Sequence, residues 1–333
     1  MIKILIFQPG SLGDSFFSSA LSDIIKENIK DSHITFYTSA ISKEMVQDNP
    51  NIDDYIIHTG GLLSDIRNLR NEKFDYLLDT WAIGDAYYRI LFSKANKKIF
   101  IKKKNSEKYL VPFVYTDFVE FAKSGYVFWD RIHLLEKLGV DVQHYIGKTL
   151  PVYHISENIR RKAENFLEKN DLKKNSYILI APKGLWKTKD IPQKVLTDVI
   201  NILQNDMRID IVLASSPDDI WYLEEIASKT DKKPVIFSSK SIREFGGIIL
   251  NAKHLISVES LPYHLAVGLR KTATVILGGY PIWKPENYKG LNFVNIDMDC
   301  KFCCSSNCKR GDYKCLMEIT PQMVIDKMME IIR

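Results

Sequence analysis

Short runs of consecutive apolar residues alternate along this chain with longer stretches in which apolar positions recur every three or four residues. The first pattern marks strands buried on both faces, and the second marks amphipathic helices. In the first half, residues 3–7, 33–37, 54–58, 76–79 and 98–101 read as strands, with helical periodicity over 15–29, 41–48 and 62–71. Strand and helix in regular alternation predict a parallel sheet covered by helices. After a helix-like stretch at 129–138, residues 148–153 read as an extended linker, and the alternation restarts. Strands are expected at 177–181, 210–214, 235–237, 254–258 and 273–277, and helices at 157–169, 193–204, 220–229, 242–251 and 262–269. The pattern therefore predicts two doubly wound α/β domains, 1–150 and 151–320. A last helix within 321–333 is expected to pack back on the domain junction.

Length and composition agree with two ordinary cores: 333 residues, 45% hydrophobic and 26% charged. The net charge of +5 comes from 46 basic and 41 acidic residues that are mostly interspersed, which gives no nucleic-acid signature. One stretch, 94–108, gathers seven lysines, a solvated face or a contact for an anionic acceptor or membrane surface. The apolar N-terminus is too short for a signal peptide, and no uncharged run is long enough to span a bilayer. A cytoplasmic protein, with peripheral contact to the inner membrane left open, is expected.

Ligands of doubly wound sheets bind beyond the carboxyl ends of the strands, so the loops there hold the candidate chemistry. After the first strand comes Gly10-Ser-Leu-Gly-Asp14, neither a dinucleotide fingerprint nor a Walker loop. Asp14 suits two roles, a helix N-cap or a general base for an acceptor hydroxyl. After residues 177–181, the loop Ala181-Pro-Lys-Gly-Leu-Trp-Lys-Thr-Lys-Asp-Ile-Pro192 carries Gly184 and three lysines that can reach a diphosphate. Ser257-Val-Glu-Ser-Leu-Pro-Tyr-His-Leu-Ala266 puts polar groups ahead of a helix whose free N–H groups suit a phosphate, less the one that Pro262 removes. Val212-Leu-Ala-Ser-Ser-Pro-Asp-Asp219 ends another strand at the same sheet edge, with carboxylates able to cap a helix or hold a ribose. Cys300, Cys303, Cys308 and Cys315 form a C-x2-C-x4-C-x6-C frame with Cys304 spare. Four such thiols are compatible with a structural zinc or iron, with reduced thiols or with disulfides.

Gln8-Pro-Gly-Ser-Leu-Gly-Asp-Ser15 resembles the opening motif of glycosyltransferase family 9, the ADP-heptose:lipopolysaccharide heptosyltransferases. Residues 67–79 resemble that family's stretch before its fourth strand, although Thr80-Trp-Ala-Ile-Gly84 departs from the polar Gln-Gly that follows there. The resemblance continues through the lysine loop, the segment at 257–266, the glycine loop with its Trp and Pro at 275–285, and the cysteine frame. It implies a GT-B fold, two Rossmann-like domains facing across a cleft, the first for acceptor and the second for nucleotide sugar. It also implies an inverting transfer that needs no metal or other cofactor for catalysis, with Asp14 as base.

On the donor side the resemblance implies Gly13, Gly184, Lys189, Asp219, Glu259, Ser260, Leu261, His264 and Gly278. Lys187 and Asp218 are the next matches to Lys189 and Asp219. Gly278 would let the backbone approach the donor closely. Glu259 and Leu261 stand where the family has Asp and Gly, so the sugar pocket differs. ADP-L-glycero-D-manno-heptose is the implied donor and the lipopolysaccharide core the implied acceptor. The rivals are another nucleotide sugar or a non-catalytic binding protein of the same fold. A nicotinamide-dependent oxidoreductase lacks its fingerprint here.

Overall fold

The computed structural model describes residues 1–81, 84, 86–102 and 111–332. They form two compact units, Met1–His154 with Trp283–Asn287, and Ile155–Ile282 with Tyr288–Arg333. The chain thus passes between units within a few residues of the expected linker, and a short segment near 285 returns to the first unit.

In the first unit the elements run β1 (Ile2–Phe7), α1 (Leu12–Ser19), α2 (Leu21–Asn28), β2 (Ser32–Thr38), α3 (Ala40–Val46), β3 (Asp54–Ile57) and α4 (Leu62–Arg70). They continue with β4 (Phe74–Asp79), α5 (Ala86–Leu91), β5 (Ala95–Lys102), α6 (Val111–Val114), β6 (Asp117–Glu120) and α7 (Val127–Ile132). The sheet order is β3-β2-β1-β4-β5-β6, and its pairings are parallel. Ile4, Leu5, Ile6 and Phe7 are all fully buried, as a central strand covered on both faces requires.

The second unit holds α8 (Glu157–Lys169), β7 (Tyr177–Ala181), α9 (Gln193–Asn201), β8 (Asp210–Ser215), α10 (Ile220–Ser228), β9 (Val235–Ser238) and α11 (Ile242–Asn251). Then follow β10 (His254–Val258), α12 (Leu261–Gly268), β11 (Ala273–Ile276), β12 (Leu291–Val294), α13 (Lys314–Met317) and α14 (Pro321–Ile332). Its sheet, β12-β11-β10-β7-β8-β9, repeats the order of the first when strands are counted from β7. Both sheets therefore reverse direction beside their own first strand, between β1 and β4 and between β7 and β10. That is where such folds bind ligands.

Two points differ from expectation. The helix expected over 15–29 starts at Leu12 and is two helices meeting at Ala20. Strands β6 and β12 went unforeseen, since both lie at a sheet edge and break their apolar residues with polar ones, as Asp117-Phe-Val-Glu120 and Leu291-Asn-Phe-Val294. The last helix is packed on the core of the second unit. Its stripe of Val324, Ile325 and Met328 is buried in the same cluster as Leu196, Val199 and Val294, because those positions fall on one face at helical spacing.

Candidate active site

The first switch point is assembled by α1, β4 and α7. Ser11 is the N-cap of α1 and accepts from the Asp14 N–H, while its hydroxyl donates to Asp14 Oδ2 at 2.6 Å. The cap is therefore Ser11, so Asp14 sits in the first turn and is not the N-cap itself. Its carboxylate is one-third exposed and pairs with the buried guanidinium of Arg131, which also donates to the Asp14 carbonyl at 2.6 Å. Burial pulls the Arg131 pKa down, and the nearby carboxylates Asp14, Asp130 and Asp79 pull it back up. The guanidinium remains charged.

Asp79 ends β4, fully buried, and accepts from the Trp81 N–H at 2.8 Å and from the Tyr115 hydroxyl. Burial and the Asp79 charge push the Tyr115 pKa far up, so the hydroxyl stays a donor. Trp81 lies flat on the first loop: a Cβ at Gly10 would stand 2.2 Å from its ring. Glycine is needed there to admit the indole. These groups line a cavity of about 170 Å³, with Trp81, Asp130, Arg131 and Trp283 in its wall. At Gly13 a Cβ would meet open space, so packing within the chain does not demand a glycine.

At the second switch point the β7–α9 loop meets the start of α12. Lys189 pairs with Glu259 across the β7/β10 reversal, and its ammonium stands 4.2 Å from the Tyr280 ring centroid. Burial raises the Glu259 pKa, opposed by the lysine charge. Asp190 shapes the loop by accepting from the Gly184 N–H at 2.9 Å, and Lys183 bridges Asp190 and Asp219 at 3.3 and 3.5 Å. Ser260 is the N-cap residue of α12, with its side chain free of the cap. Leu261 begins that helix, and His264 lies buried in its second turn against Tyr263. Lys187, the alternative to Lys189, has no ion pair among the described residues, and Asp218 lies beside Asp219 in a turn of 3-10 helix.

Gly278 has a use the sequence did not suggest. A Cβ there would fall 2.2 Å from the Thr188 carbonyl, so its close approach is to the lysine loop. Three loops are stitched at this place: Gly279 N–H donates to Thr188 O at 3.0 Å and Cys304 N–H to Gly279 O at 2.7 Å. The Thr188 hydroxyl donates to Ser305 O at 2.7 Å. The cysteine loop thus backs the loop that carries Lys189. Its five thiols are free. Backbone N–H groups, first that of Tyr313, lower the Cys308 pKa, whereas desolvation and the nearby Cys308, Cys300 and Cys303 raise that of Cys315. Among the described residues no three His, Cys, Asp or Glu side chains are placed to hold a metal.

The structure brings Lys189, Glu259 and Ser260 together at one switch point and puts Asp14 and Gly13 at the other. Arg131, Asp130, Trp81, Tyr280 and Thr188 were not anticipated. One signal existed, the adjacent Asp130 and Arg131 inside the otherwise apolar Val127-Phe-Trp-Asp-Arg-Ile132. Ala82 and Ile83 of the departing motif, and the lysines at 103, 104 and 108, lie outside the described residues.

Two doubly wound sheets of one strand order are the architecture of the GT-B class. The sequence model of glycosyltransferase family 9 (heptosyltransferase) matches residues 63–309, and the chain belongs to that family. No curated protein matched in a sequence search. Among solved structures, a family 9 glycosyltransferase from Veillonella parvula is similar at a TM-score of 0.84 and 18% identity, covering 99% of this chain and 97% of that one. ADP-heptose lps heptosyltransferase II from E. coli is similar at a TM-score of 0.79 and 15% identity, covering 99% and 98%. E. coli heptosyltransferase WaaC with ADP-2-deoxy-2-fluoro heptose is similar at 0.74 and 15%, covering 99% of each chain. At these identities the likeness speaks for the fold. Among the described residues no helix is long and apolar enough to cross a membrane.

Proposed function

We propose that this glycosyltransferase moves heptose from ADP-L-glycero-D-manno-heptose onto a lipopolysaccharide-core saccharide, with inversion at the anomeric carbon, at the cytoplasmic face of the inner membrane. The observation that carries the reading is Asp14, fixed by Ser11 and Arg131 at the rim of a cavity at the first switch point. Asp14 takes the proton from the acceptor hydroxyl as that oxygen attacks the anomeric carbon. Lys189 and the N-terminal amides of α12 beginning at Ser260 take up charge on the departing nucleotide diphosphate. Lys189 must exchange Glu259 for phosphate, which leaves Glu259 to accept from sugar hydroxyls. Gly184 admits the donor diphosphate closely and Gly13 the transferred sugar, Asp219 holds the ribose, and Leu261 and His264 shape the wall beside the sugar. Such a set supplies positive charge without a metal at the reacting atoms.

For the cysteine loop we propose a structural zinc or iron held by Cys300, Cys303, Cys308 and Cys315. Four soft donors suit either ion, and the amides around Cys308 already favour its thiolate. The loop must draw its thiols together to do so. Elemental analysis should find one equivalent of metal, lost in Cys308→Ser; metal-free protein with all five thiols titrating would remove this part.

Calorimetric titration with ADP, UDP and GDP, followed by transfer from ADP-heptose, tests the main reading. Preference for ADP and turnover are expected. Preference for another nucleotide moves the donor, and tight binding without turnover makes the chain a nucleotide-sugar binding protein.

A further inference from the structure

The cavity at the first switch point has a chemical bias that narrows what can enter it. Asp14, Asp79 and Asp130 line it against a single guanidinium, Arg131. Asp130 is 3% exposed. Its Oδ1 accepts from the Ser124 N–H at 2.8 Å, while its Oδ2 is buried with no hydrogen-bond partner among the described residues. This oxygen is closed off from the cavity as the wall stands, so a turn of the Asp130 side chain brings it to a ligand donor, and an unpartnered buried carboxylate oxygen gains most from one. The other polar groups of the wall are already engaged: Asp79 by Trp81 and Tyr115, and the Thr80 hydroxyl by Gln8 at 2.7 Å. What the wall offers a ligand is therefore acceptor atoms, and what it asks for is hydroxyl donors.

Two indoles complete the site. Trp81 is held flat by Gly10, and Trp283 is 43% exposed at the cavity. Such faces suit the C–H side of a sugar ring, apolar on one side and hydroxylated at its edge. At about 170 Å³ the cavity is small against the roughly 300–1,000 Å³ of pockets for larger ligands. One ring fills it. A carboxylate or phosphate on that ring would meet three carboxylates with the one guanidinium already paired to Asp14, and like charges repel.

Resting on the acceptor role proposed for this unit, we infer that the cavity takes a neutral sugar ring, bound by its hydroxyls to Asp130 and stacked on Trp81 and Trp283, and rejects acidic sugars. The acceptor chain may carry acidic groups elsewhere only if they stay outside the cavity. Ligand-observed saturation-transfer NMR on the full chain, without donor, tests this with three probes. These are methyl α-D-mannopyranoside, the methyl ketoside of 3-deoxy-D-manno-octulosonic acid, and methyl glucosaminide.

The mannoside should bind, and the acidic ketoside should bind at least about tenfold more weakly. Asp130→Asn keeps the Oδ1 acceptor but converts the unpartnered oxygen, so mannoside affinity should fall about tenfold while the acidic ketoside gains. Trp81→Ala should also weaken the mannoside, which keeps the test usable if the Asp130 variant folds poorly. Equal or tighter binding of the acidic sugar, or an amino sugar that binds more weakly than the acidic one, overturns the inference. So does an unchanged mannoside affinity in both variants, or no binding at all. A parallel ADP titration separates the two readings: loss of ADP binding speaks against the donor site, and the mannoside result alone judges the cavity.

Discussion

The two sheets share one strand order, yet their switch points carry different side chains. At the first, three carboxylates surround one arginine and two indoles. At the second, Lys189 and Lys183 stand on the loop after β7 beside the open end of α12, balanced by Glu259, Asp190 and Asp219. Topology fixes where a ligand goes in each unit, and side chains decide which one. A wall of hydrogen-bond acceptors suits hydroxyls and can remove a proton, whereas ammonium groups and helix amides suit a diphosphate that gains charge as it leaves. The supports differ as well. The acidic site is braced by a guanidinium from α7 within its own unit, and the basic one by the stitched loops at Thr188, Gly279 and Cys304.

Asp14→Asn breaks the comparison most severely. It should lower transfer by at least about 100-fold while ADP affinity stays close to that of the parent protein. Steady-state rates beside calorimetry read both, and retained turnover would remove Asp14 as base. Lys189→Ala should do the converse, weakening ADP by about 10- to 100-fold through loss of a charge-assisted contact. An unchanged ADP affinity would move the phosphate contact to Lys183 or Lys187.

Gly278→Ala sharpens the point about supports. With a Cβ 2.2 Å from the Thr188 carbonyl, backbone must shift, at a cost of about 1–3 kcal/mol. A lower melting temperature and weaker ADP binding are expected together. Gly13→Ala, in open space, is the control, and equal melting of the two variants would contradict the crowding described.

Acid should separate the units by a smaller margin. Burial lowers the His254 pKa from 6.5 to about 3, where its two ring nitrogens face the hydroxyls of Thr272 and Thr274. The unfolded chain binds this proton first, so stability is whole above pH 6.5 and falls as pH drops toward 3, by up to about 1.4 kcal/mol per unit. Asp65 of the first unit is pushed up by burial but brought down to about 2 by Thr59, Arg89 and His58. Its contribution is present above the ordinary carboxyl value of 3.8 and is lost only toward pH 2. The second unit should therefore soften first between pH 6.5 and 4, as seen by hydrogen exchange, and His254→Gln should flatten that slope. Equal softening of both units would contradict it.

How far the sequence leads follows the same division. Alternating apolar runs made both sheets legible, and loops after strands pointed to Asp14 and to the stretches within which the family resemblance singled out Lys189, Glu259 and Ser260, because these depend on local order. The braces were not legible. Arg131 reaches Asp14 across 117 positions, and Thr188 reaches Ser305 across the same separation. Neither spacing is visible to a periodicity of two or of 3.6. Gly278 was recognised as a point of close approach, but its partner, a carbonyl in another loop, is known only once the chain is folded. Asp14 looked like a plausible N-cap until Ser11 proved to hold that position.

The division of labour between the switch points can be observed directly by hydrogen exchange of the intact protein with and without ADP. Slower exchange over residues 183–191 and 259–265, with residues 8–20 and 79–81 unchanged, is the result this account predicts. Protection centred on the first loop and Asp14, with the lysine loop unaffected, would contradict it.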